Sequence, residues 1–315
     1  MNTDLRWMEY ALRLGRRALG TTAENPPVGC VIVKDEQVVG VGWTQSSGRP
    51  HAETEALAMA GEAARGATAY VTLEPCAHHG RTPPCAEALV RAGIARAVTA
   101  LEDPDPRTAG GGHAVLKSAG VAVEVGIGAE KARRDLAGFL TRVTKKRPYI
   151  ILKMGVSGDG KIASSAGQQT QITGPETKSR VHLLRAQCDA ILVGHRTFEI
   201  DKPKLTCRLP GMETRSPIPL VATSIDGWSD LDAKLKSLAK QGINRLLVEG
   251  GSRLSRSFLN ANLVDEVQIF QSQTIIGPQG VEAIAGMPLA KLQNRFNPAE
   301  RETLGTDTLT VYERR

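Results

Sequence analysis

The sequence predicts a two-domain α/β protein, and three observations carry that expectation. The chain has 315 residues, more than one ordinary core organises, so two domains are expected, 1–146 and 147–315. Short β-branched runs alternate with helical stretches through both halves, the pattern of sheets layered with helices. Between the halves, Thr144, Lys145, Lys146, Arg147 and Pro148 form a charged run broken by proline, a linker signal.

Each element follows from local pattern. Leu5, Met8, Ala11, Leu12 and Leu19 recur at helical spacing behind Asp4 as a cap, which predicts a helix over 4–18. Val28 to Val33 and Val38 to Trp43 are β-branched runs separated by Lys34, Asp35, Glu36 and Gln37, a hairpin pattern. His51 to Ala64 reads as an alanine-rich helix, Ala69 to Leu73 as a buried strand, and Pro84 to Arg91 as a helix ended by Gly93. Ala97 to Leu101 is a strand, His113 to Ser118 a helix stopped at Gly120, and Val121 to Val125 a strand. One helix from Glu130 to Val143 closes this half. The second half restarts with the apolar strand Tyr149 to Met154, then a helix from Glu176 to Leu184 and strands at Ala190 to Val193 and Ile218 to Val221. A helix from Leu231 to Lys240, a strand from Arg245 to Val248 and a helix from Ser252 to Asn260 follow. Strands from Glu266 to Phe270 and Leu309 to Tyr312 complete it.

Hydrophobic residues make up 41% and aromatics only 4%, so the cores are expected to be aliphatic. The formal charge is +7, and a cut after Arg147 leaves 19 basic and 16 acidic residues before it and 21 and 17 after it. A mild excess in both halves suits small phosphorylated ligands better than nucleic acid, which usually meets a concentrated patch or arm. The start lacks a basic segment followed by an apolar run, and no stretch reaches the length of a membrane span. A cytoplasmic protein with no membrane partner is expected, in which the five cysteines (30, 76, 85, 188 and 207) stay reduced.

Two of those cysteines have partners. His51, Cys76 and Cys85 supply one nitrogen and two sulfurs, the ligand types of a zinc site whose fourth position is left to water. Glu53, two residues past the histidine, could reach that water without being a ligand and carry protons in a deamination. Both cysteines are expected at helix starts, where the helix dipole favours the thiolate. The alternative is that the cysteines are buried small hydrophobes and His51 a helix cap, and His78 and His79 are further candidate donors. Cys30, Cys188 and Cys207 lack such partners and read as ordinary thiols. Eight residues, Ala77 to Pro84, separate Cys76 from Cys85 where zinc deaminases commonly have two. This polar insert is expected at the rim of the site, in contact with substrate.

Asn25-Pro26-Pro27-Val28-Gly29, His51-Ala52-Glu53 and the run Glu74-Pro75-Cys76-Ala77-His78-His79-Gly80-Arg81-Thr82-Pro83-Pro84-Cys85 resemble the deaminase half of the bifunctional riboflavin biosynthesis deaminase/reductase family. The resemblance implies an N-terminal three-layer cytidine-deaminase-like domain. It also implies that Asn25, Val28 and Gly29 line the pyrimidine pocket and that His79 or Arg81 lies near the substrate phosphate.

In the second half, Glu249-Gly250-Gly251-Ser252 follows a strand and opens a helix, a weak phosphate-site signal that a plain tight turn explains equally well. A Rossmann fingerprint is missing. Lys153-Met154-Gly155, Asp159-Gly160-Lys161-Ile162-Ala163, Ile172-Thr173-Gly174, His182 to Ala186, Thr197, Asp201 to Arg208 and Val248 to Gly251 resemble the reductase half of the same family. That implies a C-terminal dihydrofolate-reductase-like α/β domain using NADPH. Gly155, Gln171, Thr197, Asp201, Gly251, Ser252, Arg253, Leu254, Ser255, Arg256 and Ser257 would meet the cofactor, and Gln169, Arg185, Leu205, Arg208 and Glu249 the substrate. Arg185 and Arg208 suit a ribose phosphate, because the guanidinium presents paired donors.

The chain departs from the family pattern at three places. Gln169 and Gln171 stand where serine and tryptophan are common, and Lys202 replaces the second aspartate of an Asp-Asp-Pro run. The segment after Arg215 looks shortened by a strand and loop, so that Thr223 or Ser224 would take over a cofactor contact. The expected function is zinc-dependent deamination of a small phosphorylated pyrimidine followed by NADPH-dependent reduction of its ribosyl group, in a homo-oligomer, which the resemblance implies is a dimer. The alternatives are a deaminase with an inactive reductase half, a nucleotide or tRNA deaminase, and a zinc-stabilised interaction protein.

Overall fold

The structure, a computed structural model, describes residues 3–79, 83–223, 228 and 230–315. It divides into two compact units, Met1–Lys146 and Arg147–Arg315, each with its own sheet and core.

In the first unit, α1 (Thr3–Arg16) buries Trp7, Met8, Ala11 and Leu12. Strands β1 (Gly29–Lys34) and β2 (Gln37–Trp43) pair antiparallel, closing at Lys34↔Gln37. Asp35 and Glu36 both take left-handed φ angles, 48° and 60°, the two-residue turn whose twist matches its strands. There follow α2 (Ala52–Ala60), β3 (Thr68–Val71), α3 (Cys85–Arg91), β4 (Arg96–Thr99), α4 (Gly111–Ser118), β5 (Ala122–Val125), α5 (Ala129–Asp135) and α6 (Ala137–Lys145). The sheet order is β2-β1-β3-β4-β5, with β3, β4 and β5 parallel. The single helix expected over 130–143 is two helices. The chain turns at Leu136 (φ −89°, ψ 2°), whose side chain is buried in the core, so tertiary burial overrides local helical preference there.

Helix α2 lies on β2 with almost no gap, because small residues face each other. A Cβ on Gly42 would sit 2.1 Å from the Ala52 carbonyl oxygen and 2.7 Å from the Ala56 nitrogen. This contact fixes the first turn of α2 against the sheet.

The second unit starts at β6 (Tyr149–Val156), the centre of its sheet, and continues with β7 (Lys161–Ala163), α7 (Pro175–Ala186), β8 (Ala190–Gly194), α8 (His195–Asp201), β9 (Ile218–Ala222) and α9 (Leu231–Lys240). Next come β10 (Arg245–Val248), α10 (Ser252–Asn260), β11 (Glu266–Gln271), β12 (Val281–Glu282), β13 (Phe296–Leu304) and β14 (Asp307–Arg314). The main sheet runs β13-β14-β11-β6-β10-β8-β9, parallel from β11 to β9 and antiparallel at β14 and β13, while β7 and β12 form a separate pair. Helices α9 and α10 contribute Leu235, Leu238, Phe258 and Leu259 to the larger core. At the entry to this unit, Arg147 forks onto the buried Asp265 at 2.6 and 2.8 Å, and Asp265 also accepts from the Ile150 N–H at 2.9 Å.

Four elements lack a signal strong enough to read from sequence: β7, α8, β12 and β13. None of the residues of α8 is buried, so it carries no amphipathic stripe, and β13 is an edge strand containing Pro298 and several charges. Among the described residues no strand lies between β9 and α9.

Gly42→Ala should push α2 off β2 and destabilise the first unit by roughly 1–3 kcal/mol, the usual cost of overpacking. Thermal denaturation checks this, and an unchanged melting temperature would contradict it.

Candidate metal centre and ligand cavity

In the first unit three chain segments converge. His51 occupies the N-cap position of α2 without using its side chain as a cap, so the ring is left for other contacts. Cys76 follows β3 through Glu74 and Pro75, and Cys85 is the first residue of α3. The His51 Nδ1 lies 3.7 Å from Cys76 Sγ and 3.4 Å from Cys85 Sγ, and all three donor atoms fall within 4.8 Å of one another. Ideal zinc–nitrogen and zinc–sulfur bonds at a tetrahedral angle would separate N from S by about 3.6 Å, so the triangle fits that ion. Among the described residues it is the single cluster of three such donors.

Cys76 is not at a helix start, which corrects the sequence expectation. The dipole still reaches it, because the N–H of Cys85, first in α3, donates to Cys76 Sγ at 3.3 Å. The Cys85 thiol donates to Cys76 as well, and with His51 also lowering it against the opposing effect of burial, Cys76 is held down at about 4. Cys85 is correspondingly raised, first by giving its proton to Cys76 and then by burial. One proton is therefore shared between two sulfurs, and a second thiolate needs a cation. Beside them Glu53 is only 4% exposed. Burial, then the Cys76 thiolate, pushes its carboxyl up to about 7, and the Cys85 thiol hydrogen-bonds to it.

Glu74, to which the sequence assigned no role, holds the Cys76 segment in place. Its fully buried side chain accepts from the backbone N–H groups of Asp103 (3.1 Å), Gly110 (3.0 Å) and His113 (3.0 Å). The segment after β3 is thus tied to the loop after β4 and to the first turn of α4. A buried Glu immediately before Pro-Cys was the one available hint, because an isolated carboxylate is not buried without donors.

The remaining expected residues of this unit make contacts of their own. Asn25 packs on Gly48, whose added Cβ would lie 2.0 Å from Asn25 Nδ2. The Val28 N–H donates to Thr44 Oγ1 at 3.0 Å. Gly29 sits under α1, where a Cβ would come within 1.9 Å of the Ala11 carbonyl oxygen, so its lack of a side chain serves helix packing. His79 is exposed and pairs with Glu87 at 3.2 Å, His78 faces Thr108 Oγ1 at 3.3 Å, and Arg81 lies outside the described residues.

The second unit contains a cavity of about 850 Å³ at the C-terminal ends of β6, β8, β9 and β10, the position where parallel sheets bind ligands. Gly155, Thr197, Asp201, Gly251, Ser252, Arg253, Leu254 and Ser257 line it, with Gln169, Arg185, Leu205 and Glu249. Gln171, Thr223, Arg208, Ser255 and Arg256 are not among the lining residues. Ser255 is buried and donates to the Gly251 carbonyl at 3.3 Å, and Arg256 turns to the Ala285 carbonyl at 2.8 Å. Ser224 is outside the described residues.

Arg185 forks onto Glu249 at 2.8 and 2.9 Å, and Lys153 Nζ stands 3.8 Å from the same carboxylate. Burial alone would raise the pKa of Glu249, but Lys153 and Arg185 outweigh it and keep the group ionised. The guanidinium expected to clamp a phosphate is thus already committed to a carboxylate. Lys153, a cavity residue singled out only as part of a motif, completes the cluster.

Replacing Glu74 by Gln turns an amide NH₂ toward the backbone donors and should cost about 1–3 kcal/mol. Measured by metal analysis after dialysis against a weak chelator, zinc retention should fall, and full retention would contradict the role given to Glu74.

Residues 1–101 match the family model for the cytidine and deoxycytidylate deaminase zinc-binding region, and residues 148–310 match the RibD C-terminal domain. The riboflavin biosynthesis protein RibD of Escherichia coli is 39% identical, covering 92% of this chain and 95% of that protein; that of Aquifex aeolicus is 36% identical over 99% and 98%. The E. coli alignment runs over 349 positions against 315 residues here, so that relative carries residues this chain lacks. Among solved structures, Acinetobacter baumannii RibD is 34% identical with a TM-score of 0.86, covering 99% of both chains. The Thermotoga maritima structure titled a diaminohydroxyphosphoribosylaminopyrimidine deaminase/5-amino-6-(5-phosphoribosylamino)uracil reductase is 31% identical with a TM-score of 0.90, again over 99% of both. No described helix is long and apolar enough to cross a membrane. The chain belongs to the RibD family of riboflavin biosynthesis proteins, bifunctional deaminase/reductase enzymes that use zinc and NADPH.

Proposed function

We propose that residues 1–146 deaminate a phosphoribosylamino-pyrimidine and residues 147–315 reduce the ribosyl group of the product to ribityl. The observation that carries the first half is the His51, Cys76 and Cys85 triangle beside the buried Glu53. When bound there, zinc supplies a Lewis acid that lets water act as a nucleophile near neutral pH. His51, Cys76 and Cys85 would hold the ion as three ligands, with the fourth position left to water. Glu53 takes the proton from the attacking water, gives it to the ring nitrogen, and serves again as the amine leaves as ammonia, so that a C–O bond replaces the C–N bond. Asn25, Val28 and Gly29 form the pyrimidine side, with His79 and Arg81 toward the phosphate.

In the second half, NADPH supplies the hydride. Gly155, Gln171, Thr197, Asp201, Thr223 and the segment 251–257 are the cofactor side, and Gln169, Arg185, Leu205, Arg208 and Glu249 the substrate side. The cavity lining supports most of these assignments. The ionised Glu249 orients Arg185 and Lys153 at the substrate side. The same reading has the chain working in the cytoplasm as a dimer on small phosphorylated pyrimidines, without nucleic acid or membrane.

Glu53→Gln should retain zinc and lose ammonia release from the pyrimidine substrate by at least about 100-fold, the lower range of general acid–base contributions. Near-normal turnover would remove Glu53 as the proton carrier. Stripping the metal with a chelator should abolish ammonia release, whereas substrate-dependent NADPH oxidation, assayed on pre-deaminated substrate, should persist. Absence of that oxidation in the untreated protein would overturn the reductase assignment.

A further inference from the structure

The cavity of the second unit is lined by four Lys or Arg side chains, Lys153, Arg185, Arg196 and Arg253, against the two carboxylates of Asp201 and Glu249. Two of the four are engaged with Glu249: Arg185 at 2.8 Å and Lys153 at 3.8 Å. His195 is also engaged, 3.2 Å from Glu199. Arg196 and Arg253 are different: among the described residues neither guanidinium has an ion-pair or hydrogen-bond partner, and both residues line the cavity.

Their placement brings them to one rim. Arg196 is in the first turn of α8 and Arg253 in the first turn of α10, and these helices follow the neighbouring parallel strands β8 and β10. The two turns are in contact: a Cβ on Gly251 would lie 3.0 Å from Thr197 Oγ1, and one on Gly194 would lie 3.9 Å from Leu254 Cβ. Two guanidinium groups without counter-ions therefore flank the same end of a cavity that must hold a dinucleotide. A lone surface arginine is ordinary, but two together in this place raise the local positive potential where no described residue pairs with either guanidinium.

NADPH and NADH share the nicotinamide, both riboses and the diphosphate, and differ by one phosphate on the adenosine ribose 2′-oxygen. The diphosphate can be met by the backbone N–H groups at the start of α10, whose N-cap Gly251 and preceding Gly250 leave the amides accessible. That interaction is the same for both dinucleotides. A dianionic 2′-phosphate is the group that matches paired guanidinium forks. We propose that Arg196 and Arg253 together receive the 2′-phosphate and thereby make this unit select NADPH over NADH. This rests on reading the unit as a dinucleotide-dependent reductase, and it assigns a role to Arg196 that no motif in the sequence suggested.

The test is a binding titration of the purified full chain with NADPH and with NADH, followed by nicotinamide fluorescence. Arg196→Gln and Arg253→Gln should each lower the ratio of the two affinities by about tenfold, the scale of one charge-assisted hydrogen-bonded contact. The double variant should bring the two Kd values to within a few-fold, with NADH affinity nearly unchanged. Adenosine 2′,5′-bisphosphate and adenosine 5′-monophosphate, as probes lacking the nicotinamide, should show the same loss for the bisphosphate only. Melting temperatures equal to the parent's verify that the exposed substitutions leave the fold intact. An unchanged ratio in the double variant overturns the inference, as does equal weakening of both dinucleotides, which would place the arginines on the shared diphosphate. Should the parent chain bind neither dinucleotide, the reductase reading itself fails; tight NADPH binding with a surviving ratio defeats the arginine assignment alone.

Discussion

Two sulfurs held 3.4 and 3.7 Å from one imidazole nitrogen, beside a buried carboxyl, impose the constraint on which the first unit depends. Without a cation the sulfurs share one proton, with Cys76 ionised and Cys85 protonated. Such an arrangement crowds an ionised sulfur against a second thiol and a buried carboxyl in a poorly solvated space, which proteins avoid unless an ion compensates. The rest of the unit can be understood as the scaffold that makes this crowding possible. Gly42 lets α2 approach β2 and so sets His51 and Glu53, and Glu74 gathers three backbone donors to set Cys76.

Both units place their polar chemistry beyond the C-terminal ends of parallel strands. In the first, the segments after β3 and β4 are knitted by Glu74; in the second, the residues after β6, β8 and β10 line one cavity. The electrostatic solutions differ. The first unit concentrates donors that call for a metal, whereas the second neutralises its buried carboxylate internally through Arg185 and Lys153 and leaves positive charge at the rim.

Much of this was legible in sequence because the periodic signals are local. The hairpin at Asp35 and Glu36, the alanine-rich α2 and the apolar β6 each announce themselves within a few residues. The metal donors could be read because the ligand types are chemically restrictive. Legibility failed where tertiary contacts decide. Leu136 breaks a helix because the core takes its side chain, and α8 has no buried face to betray it. The commitment of Arg185 to Glu249 joins residues far apart in sequence, and the role of Glu74 depends on donors from a loop and a helix start. The packing of Gly29 against Ala11 could be known only once α1 was docked.

Zinc K-edge X-ray absorption on the purified full chain tests the central claim most directly. Two sulfur neighbours at about 2.3 Å and the remaining nitrogen or oxygen neighbours at about 2.0 Å are the result that agrees with a His51, Cys76 and Cys85 tripod with an open corner. A shell with no sulfur, or with three or more sulfurs, would contradict it.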